Sequence, residues 1–324
     1  MKRGRRRAVL ALTAAGLLAP LIAAGQGYPS KPIRFLVPYP PGGGTDLVAR
    51  AVAQKLQDSM GQPVVVENKP GGSEIISTEA AARSAPDGYT IALVTNAFAI
   101  NAGAGRKLPF DPVADFVPVA YLVSVPFLLV VHPSVPASSV QELVALAKAQ
   151  PGKLNYASLG SGSPHGLAIE WFKKLAGIDL TEVPYKGVAQ AMAAGAAGEV
   201  QVLFTGLTAG LAQVKSGRLK AIAVSPAKRV AAVPELPSIA EAGYPDFDVT
   251  TWYGVVAPAG TPGSIVSKLN AEIDKTLGLP DLKERLAGIG VDPLPMSAAE
   301  FGQAMQKDLR LWSRVIKATG AKVE

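Results

Sequence analysis

The chain has 324 residues, 48% of them apolar, with 33 glycines, 27 prolines and no cysteine. That length suggests two domains of roughly 150 residues, each with a sizeable core, and the lack of cysteine excludes disulfides, thiolate nucleophiles and zinc–thiolate sites. Lys2, Arg3, Arg5, Arg6 and Arg7 carry five of the seven net positive charges and no acid lies in residues 1–27, so the remainder is only +2 and nucleic acid is not an expected partner.

Those cations precede an uncharged run, residues 8–24, that ends in small residues. A basic start, an apolar centre and a small-residue end make a secretory signal peptide over residues 1–27, cleaved between Ala23 and Gly27. The run is short for a membrane span of ~20 residues, a retained anchor being the alternative. The mature chain is therefore expected in the periplasm, held by its core alone.

Residues 33–37 read as a buried strand, VPYPPGGGTD (37–46) as a glycine-rich turn, and LVARAVAQKLQDSMG as a helix. Leu47, Val48, Ala51, Val52 and Leu56 fall on one helical face, and Gly61 is a stop signal. A strand, a turn and a helix start gather free backbone N–H groups at one point. The helix dipole adds partial positive charge, so an anion is favoured there without any arginine. The same residues also suit a plain tight connection.

PVVVEN (63–68) reads as a short buried strand, residues 75–85 as a helix, and residues 89–95 as a strand after a Pro-Asp-Gly turn. Strands alternating with helices argue for parallel α/β organisation. LPFDPVADF (108–116) is proline-punctuated and irregular. Residues 117–133 contain two apolar β-type runs separated by Ser124, Val125 and Pro126, where a domain crossover is placed. Ser138 or Ser139 caps a helix with Val140, Leu143, Leu146 and Ala147 on its apolar face.

The opening pattern then recurs as architecture. Residues 154–158 are strand-like, LGSGS (159–163) is a Gly/Ser loop, and Ser163 and Pro164 suit the N-cap and first position of a helix reaching Gly177. Two strand–loop–helix units, one in each half, point to a ligand at the C-terminal ends of strands, in a cleft between domains. DLTEVPYKG gives a short strand and a loop with Tyr185 at its rim, followed by a small-residue helix (189–198), a buried strand (201–206), a helix to Gly217 and a strand (219–225). Residues 249–258 form a strand long enough to return to the first domain, which amphipathic helices over 264–277 and 297–319 close. The expected domains are 28–124 plus 250–324, and 125–249.

The segments YPSKPIRFLVPYPPGGGTD, APDGYTIALVT, LPFDPVADF, NYASLGSGSPHG, VPYKG, AKRVAAVPELPSIAEAG and WYGVVAPAGTP occur in this order across nearly all of the mature chain. In this combination the chain resembles the extracytoplasmic solute-binding proteins of tripartite tricarboxylate transporters. The resemblance implies an α/β, two-domain type II periplasmic binding protein fold, with two interdomain crossovers and a central cleft that closes on a small carboxylate. It further implies delivery of that organic acid to transporter membrane subunits by a monomer that needs no cofactor. Carried over by position, Tyr39, Gly42, Gly43, Thr45 and Asp46 form one lip of the site. Ser158, Gly160, Ser161, Gly162, Ser163 and His165 form the other, with Asn96 and Tyr185 as side-chain contacts. Two departures stand out. PGGSEIIS places Ser73 and Glu74 where the family usually has glycines, and Thr205 stands where many members have Asp. A Glu74 facing the cleft would repel a second carboxylate or pair with an amine, whereas the lost Asp at 205 weakens recognition of an amino group.

Ser163 and His165 could also be read as a nucleophile and its base in an exported hydrolase, but they are two apart at a helix start, where side chains diverge, and no G-x-S-x-G elbow is present. N-capping and ligand bonding account for them, and the chain is read as no enzyme. His132, before Pro133, is read as structural, and two distant histidines make no metal site. Asp46 has a plain role as an acid in a helix's first turn, worth ~0.3–1 kcal/mol. Trp252 and Tyr253 are read as core and hinge packing. A sensor co-receptor that presents the liganded protein to a membrane kinase is the alternative to transport.

Overall fold

Strand β1 (Ile33–Val37) has a nearly continuous buried sequence because it is the middle of a parallel trio, with β2 (Val64–Asn68) on one side and β3 (Thr90–Thr95) on the other. The computed structural model describes residues 27–159, 163–185, 187–289, 291–321 and 323. Residues 1–26, nearly all of the signal peptide expected over 1–27, lie outside them, as do Gly160, Ser161 and Gly162. The strand at 64–68 is an edge, not the buried strand its composition suggests. Only Val64 is buried and Val65 is 46% exposed, because among the described residues no strand pairs with the outer side of β2.

Helix α1 (Gly44–Met60) buries Val48, Val52 and Leu56 against this trio, each worth ~1.5–3 kcal/mol, and ends at Gly61 in the left-handed conformation (φ 68°). Leu47 departs from the expected face and is 37% exposed, since the helix turns it to solvent. Beyond β3 the sheet becomes antiparallel through β9 (Thr250–Pro258) to β4 (Phe116–Val131). β4 is a single strand of 16 residues, where the sequence suggested two runs. Its last five residues pair with β7 (Val202–Gly206) and, over part of that stretch, with β8 (Lys220–Val224). β7 continues to a second parallel group, β5 (Asn155–Ser158) and β6 (Thr181–Pro184). The short β10 (Asp292–Pro293) pairs with β4 at Val123 and Ser124.

Pro126 does not break β4 because it falls between the end of the β10 pairing and the start of the β7 pairing, where one side of the strand has no ladder to donate to. Helices α2 (Ile75–Ala82) and α3 (Asn96–Gly103) follow β2 and β3, and α4 (Val140–Ala149), α5 (Pro164–Ala176), α6 (Val188–Ala197) and α7 (Leu207–Lys215) punctuate the second group. Helix α8 (Gly263–Leu277) and α9 (Pro280–Gly288) return to the first, and α10 (Ala298–Thr319) packs along both. Ser297 and Glu300 form a reciprocal capping box at the start of α10. Among the described residues no helix is long and apolar enough to cross a membrane.

Candidate functional site

The first turn is held open by its own side chains. Gly42 adopts φ 85°, a conformation that disfavours any residue with a Cβ. The Asp46 carboxylate, 2% exposed, accepts from the Gly42 N–H (2.9 Å), from Arg50 Nε (3.0 Å) and from Asn68 Nδ2 (2.9 Å), and Asn68 Nδ2 also donates to the Tyr39 carbonyl (2.9 Å). Burial resists ionisation of Asp46, but Arg50, Gly42 N–H and Asn68 overcome it and hold the carboxyl below the usual range. Asp46 thus does more than the plain first-turn role foreseen for it: its carboxylate braces the turn. Among the described residues no side chain caps the start of α1, so the first-turn amides beside the buried Thr45 keep their donors for another acceptor.

The second turn follows β5. Ser158 is fully buried, and its carbonyl accepts from the half-buried Tyr185's N–H (2.8 Å). Ser163 caps α5 through Gly166 N–H (3.0 Å), with Pro164 at the first position as expected. The His165 ring lies 4.5 Å from that of Phe127, and burial pushes its pKa down to about 4, so it is a neutral imidazole at neutral pH.

The strand crossing brings distant parts of the chain together. Asn96, the first residue of α3, donates from Nδ2 to the Thr250 carbonyl (3.3 Å), and Thr250 stands opposite Pro126 on β4. The next residue, Phe127, opposes Gly206 at the end of β7 and stacks on His165. Asn96, His165 and the β7 end with Thr205 are thus linked through one or two residues of β4 and β9. The first turn joins this crossing through Tyr253 of β9, whose hydroxyl would lie 3.2 Å from a Cβ placed on Gly44. Asn96 Oδ1 and Thr205 Oγ1 are buried and have no hydrogen-bond partner among the described residues. Such a group costs about 1–3 kcal/mol until something bonds to it. Ser73 stands apart: its side chain is exposed and its carbonyl accepts from Asn101 (2.6 Å).

Glu74 lines no open surface. It is 1% exposed, its Oε2 accepts from Thr95 N–H (3.2 Å), and its Oε1 meets the Thr95 hydroxyl. The Tyr39 hydroxyl bonds the same carboxyl, and Tyr253 lies near enough to feel its charge. It is therefore unavailable to pair directly with a ligand amine. Thr95 and Phe127 escape the sequence reading, and Tyr253, read as core and hinge packing, also approaches the first turn at Gly44. Thr95 carries the one usable signal, as the last residue of a strand that ends at this edge, whereas Phe127 reads as ordinary core.

The chain matches the family described as tripartite tricarboxylate transporter family receptor over residues 48–321. It is 36% identical over 315 residues to protein BugT of Bordetella pertussis, covering 97% of this chain and 96% of that protein. Among solved structures it is similar to Rpa4515 of R. palustris with adipate (34% identity, TM-score 0.77, 91% of this chain and 99% of that one). It is likewise similar to MatC of Rhodopseudomonas palustris with bound malate (30% identity, TM-score 0.73, 89% and 100%). The α/β architecture, with its parallel groups joined through long antiparallel strands, is the one these proteins share.

Proposed function

The chain belongs to the tripartite tricarboxylate transporter receptor family, and from that premise we propose that it captures a small carboxylate between the turns at 38–46 and 158–165 and delivers it to transporter membrane subunits. The observation that carries the reading is the uncapped start of α1 behind a turn whose acid, Asp46, is tied back to Arg50 and Asn68. Free amides, the dipole of a 17-residue helix and a braced glycine turn suit an oxyanion. The start of α5, with Ser158, Gly160, Ser161, Gly162, Ser163 and His165, is the second lip. The buried oxygens of Asn96 and Thr205 suit a ligand or water that offers hydrogens at the far end. Adipate in one relative and malate in another support a dicarboxylate of about four to six carbons.

Residues 28–124 plus 250–324 form one lobe and 125–249 the other, and closure of the lobes on the acid gives the membrane subunits a shape to read. Residues 1–27 direct export, and the mature monomer works in the periplasm as a receptor, not as an enzyme.

The test is a thermal-shift screen of the mature protein against mono- and dicarboxylates that include adipate and malate. A ligand at a hundredfold excess over its Kd stabilises by ~2.7 kcal/mol, and at least one acid should raise the Tm by several degrees. A folded protein that none of them stabilises would reject the reading.

A further inference from the structure

The carboxyl of Glu74 sits behind the first lip, at the C-terminal edge of β1 and β3, with three donors around it and no cation among its interacting groups. Thr95 N–H has a fixed direction, toward Oε2. The Thr95 hydroxyl accepts from Ala97 N–H (3.1 Å), so its single hydrogen is directed to Oε1. The Tyr39 hydroxyl faces both. Tyr39 belongs to the turn read above as a carboxylate lip, and the inference rests on that reading.

We propose that Glu74 is a proton-binding group of the ligand site, and that the receptor takes up its organic anion together with a proton that settles on the Glu74 carboxyl. Hydrogen counting supplies the mechanism. With Glu74 ionised, the hydroxyl hydrogens of Thr95 and Tyr39 are both drawn to the carboxylate. With Glu74 protonated, the carboxyl donates a hydrogen of its own, and one hydroxyl hydrogen is released to face an acceptor in front of the turn. An anion at the lip and an ionised Glu74 behind it therefore compete for one hydrogen, and their charges repel across a buried, poorly screened distance. Anion binding raises the proton affinity of Glu74, and by reciprocity the proton raises the affinity for the anion.

The neighbouring groups leave Glu74 to titrate alone. Burial pushes its carboxyl up to about 7, against the bonds from Thr95 and Tyr39 that favour the charged form. The titratable groups facing it are Tyr39 and Tyr253. Burial, reinforced by Glu74, pushes both upward, Tyr253 to about 12, so they stay neutral. The charges on the adjoining elements are engaged elsewhere: Asp46 with Arg50, Glu79 with Arg83, Arg106 with Asn101, and Lys69 beside Glu67. Across the crossing, His165 is neutral throughout this range.

Calorimetry on the mature protein tests this, with the acid that gives the largest thermal shift as the probe. At pH 7.5, heats measured in phosphate and in Tris should differ by the uptake of a fraction of a proton per acid bound. Between pH 6.5 and 8.5 the Kd should weaken about threefold or more. Glu74→Gln keeps the shape but cannot titrate, and should show neither proton uptake nor this slope. Buffer-independent heats in the wild type, or an equal pH slope in Glu74→Gln, would overturn the assignment while leaving the receptor reading intact. If no acid binds at any pH in this range, the receptor reading falls and this inference falls with it.

Discussion

At the scale of single residues, Asp46 illustrates how a site can depend on a group that touches no ligand. Its buried carboxylate holds Gly42 N–H, Arg50 and Asn68 at once, and through Asn68 it fixes the Tyr39 carbonyl. Replacing it with alanine removes a charged acceptor from the Gly42 N–H and from the Asn68 side chain, and hydrogen bonds to a charged group are worth about 1–3 kcal/mol. Asp46→Ala should therefore lower the unfolding free energy measured in urea by that amount and weaken carboxylate binding, because the turn loses its brace. The folded pKa of Asp46 lies below that of the unfolded chain. Its contribution is therefore present above the ordinary value of about 3.9 and is lost as pH falls through the lower, folded value. Wild type and Asp46→Ala should converge in stability below about pH 4 and stay apart from pH 5 to 8. An Asp46→Ala protein with unchanged midpoint at pH 7 would show that the turn stands without it.

At the scale of elements, the sheet and its main helices were legible because their burial is one-sided. Val48, Val52 and Leu56 repeat at helical spacing, and Ser163-Pro164 announces a helix start. Helix α3 was not legible, for a physical reason: Asn96, Ala97, Phe98, Ala99, Ile100 and Asn101 are all buried. A helix wrapped on every side has no polar face, and so no period to detect. β4 was read as two runs because a proline normally ends a ladder, and only the pairing pattern reveals that Pro126 falls in a gap. Of the candidate site, the two strand–turn–helix starts, β1 to α1 and β5 to α5, were legible because each follows the chain. The site was hidden where 21 residues separate partners such as Glu74 and Thr95. β9 owes one of its glycines to the same kind of long-range approach. A Cβ on Gly254 would lie 2.2 Å from Phe301 Cζ of α10, and a buried ring cannot swing aside as a flexible chain end would. Gly254→Ala should destabilise by ~1–3 kcal/mol through overpacking, and Phe301→Ala by ~3–5 kcal/mol through the cavity it leaves. The double variant should cost clearly less than the sum, since the methyl enters the space the ring vacates. Strict additivity in chemical denaturation would mean that the two elements do not meet as described.

For the whole molecule, the question is what ties the two proposed lobes together while letting them move. Strands β4 and β9 run between them, and α10 is a third connection. Its Phe301 and Met305 pack with Leu36, Val94 and Trp252, whereas its Trp312 and Val315 pack with Phe127, Leu129 and Phe172. Between these two contacts lies Asp308, whose Oδ2 accepts from Trp252 Nε1 of β9 (2.6 Å) and from Trp312 Nε1 (3.3 Å). The adjacent Lys307 pairs with Asp248, just ahead of β9 (2.7 Å). Asp308 thus pins the helix to the crossing strand between its two sets of contacts. Burial pushes its pKa up to about 6, partly offset by the two indole N–H donors and by Lys307. A carboxyl raised in this way binds its proton more tightly folded than unfolded. Its favourable contribution is full below the ordinary value of about 3.9 and is lost as pH rises through about 6. Asp308→Asn keeps an acceptor for the indoles and abolishes the titration. Relative to wild type, its stability in urea should improve by on the order of 2 kcal/mol between pH 4 and pH 7.5, whatever its offset at pH 4. Parallel pH profiles for the two proteins would mean that Asp308 carries no buried charge, and α10 would then be an ordinary packing helix rather than one held to β9 by a titrating carboxyl.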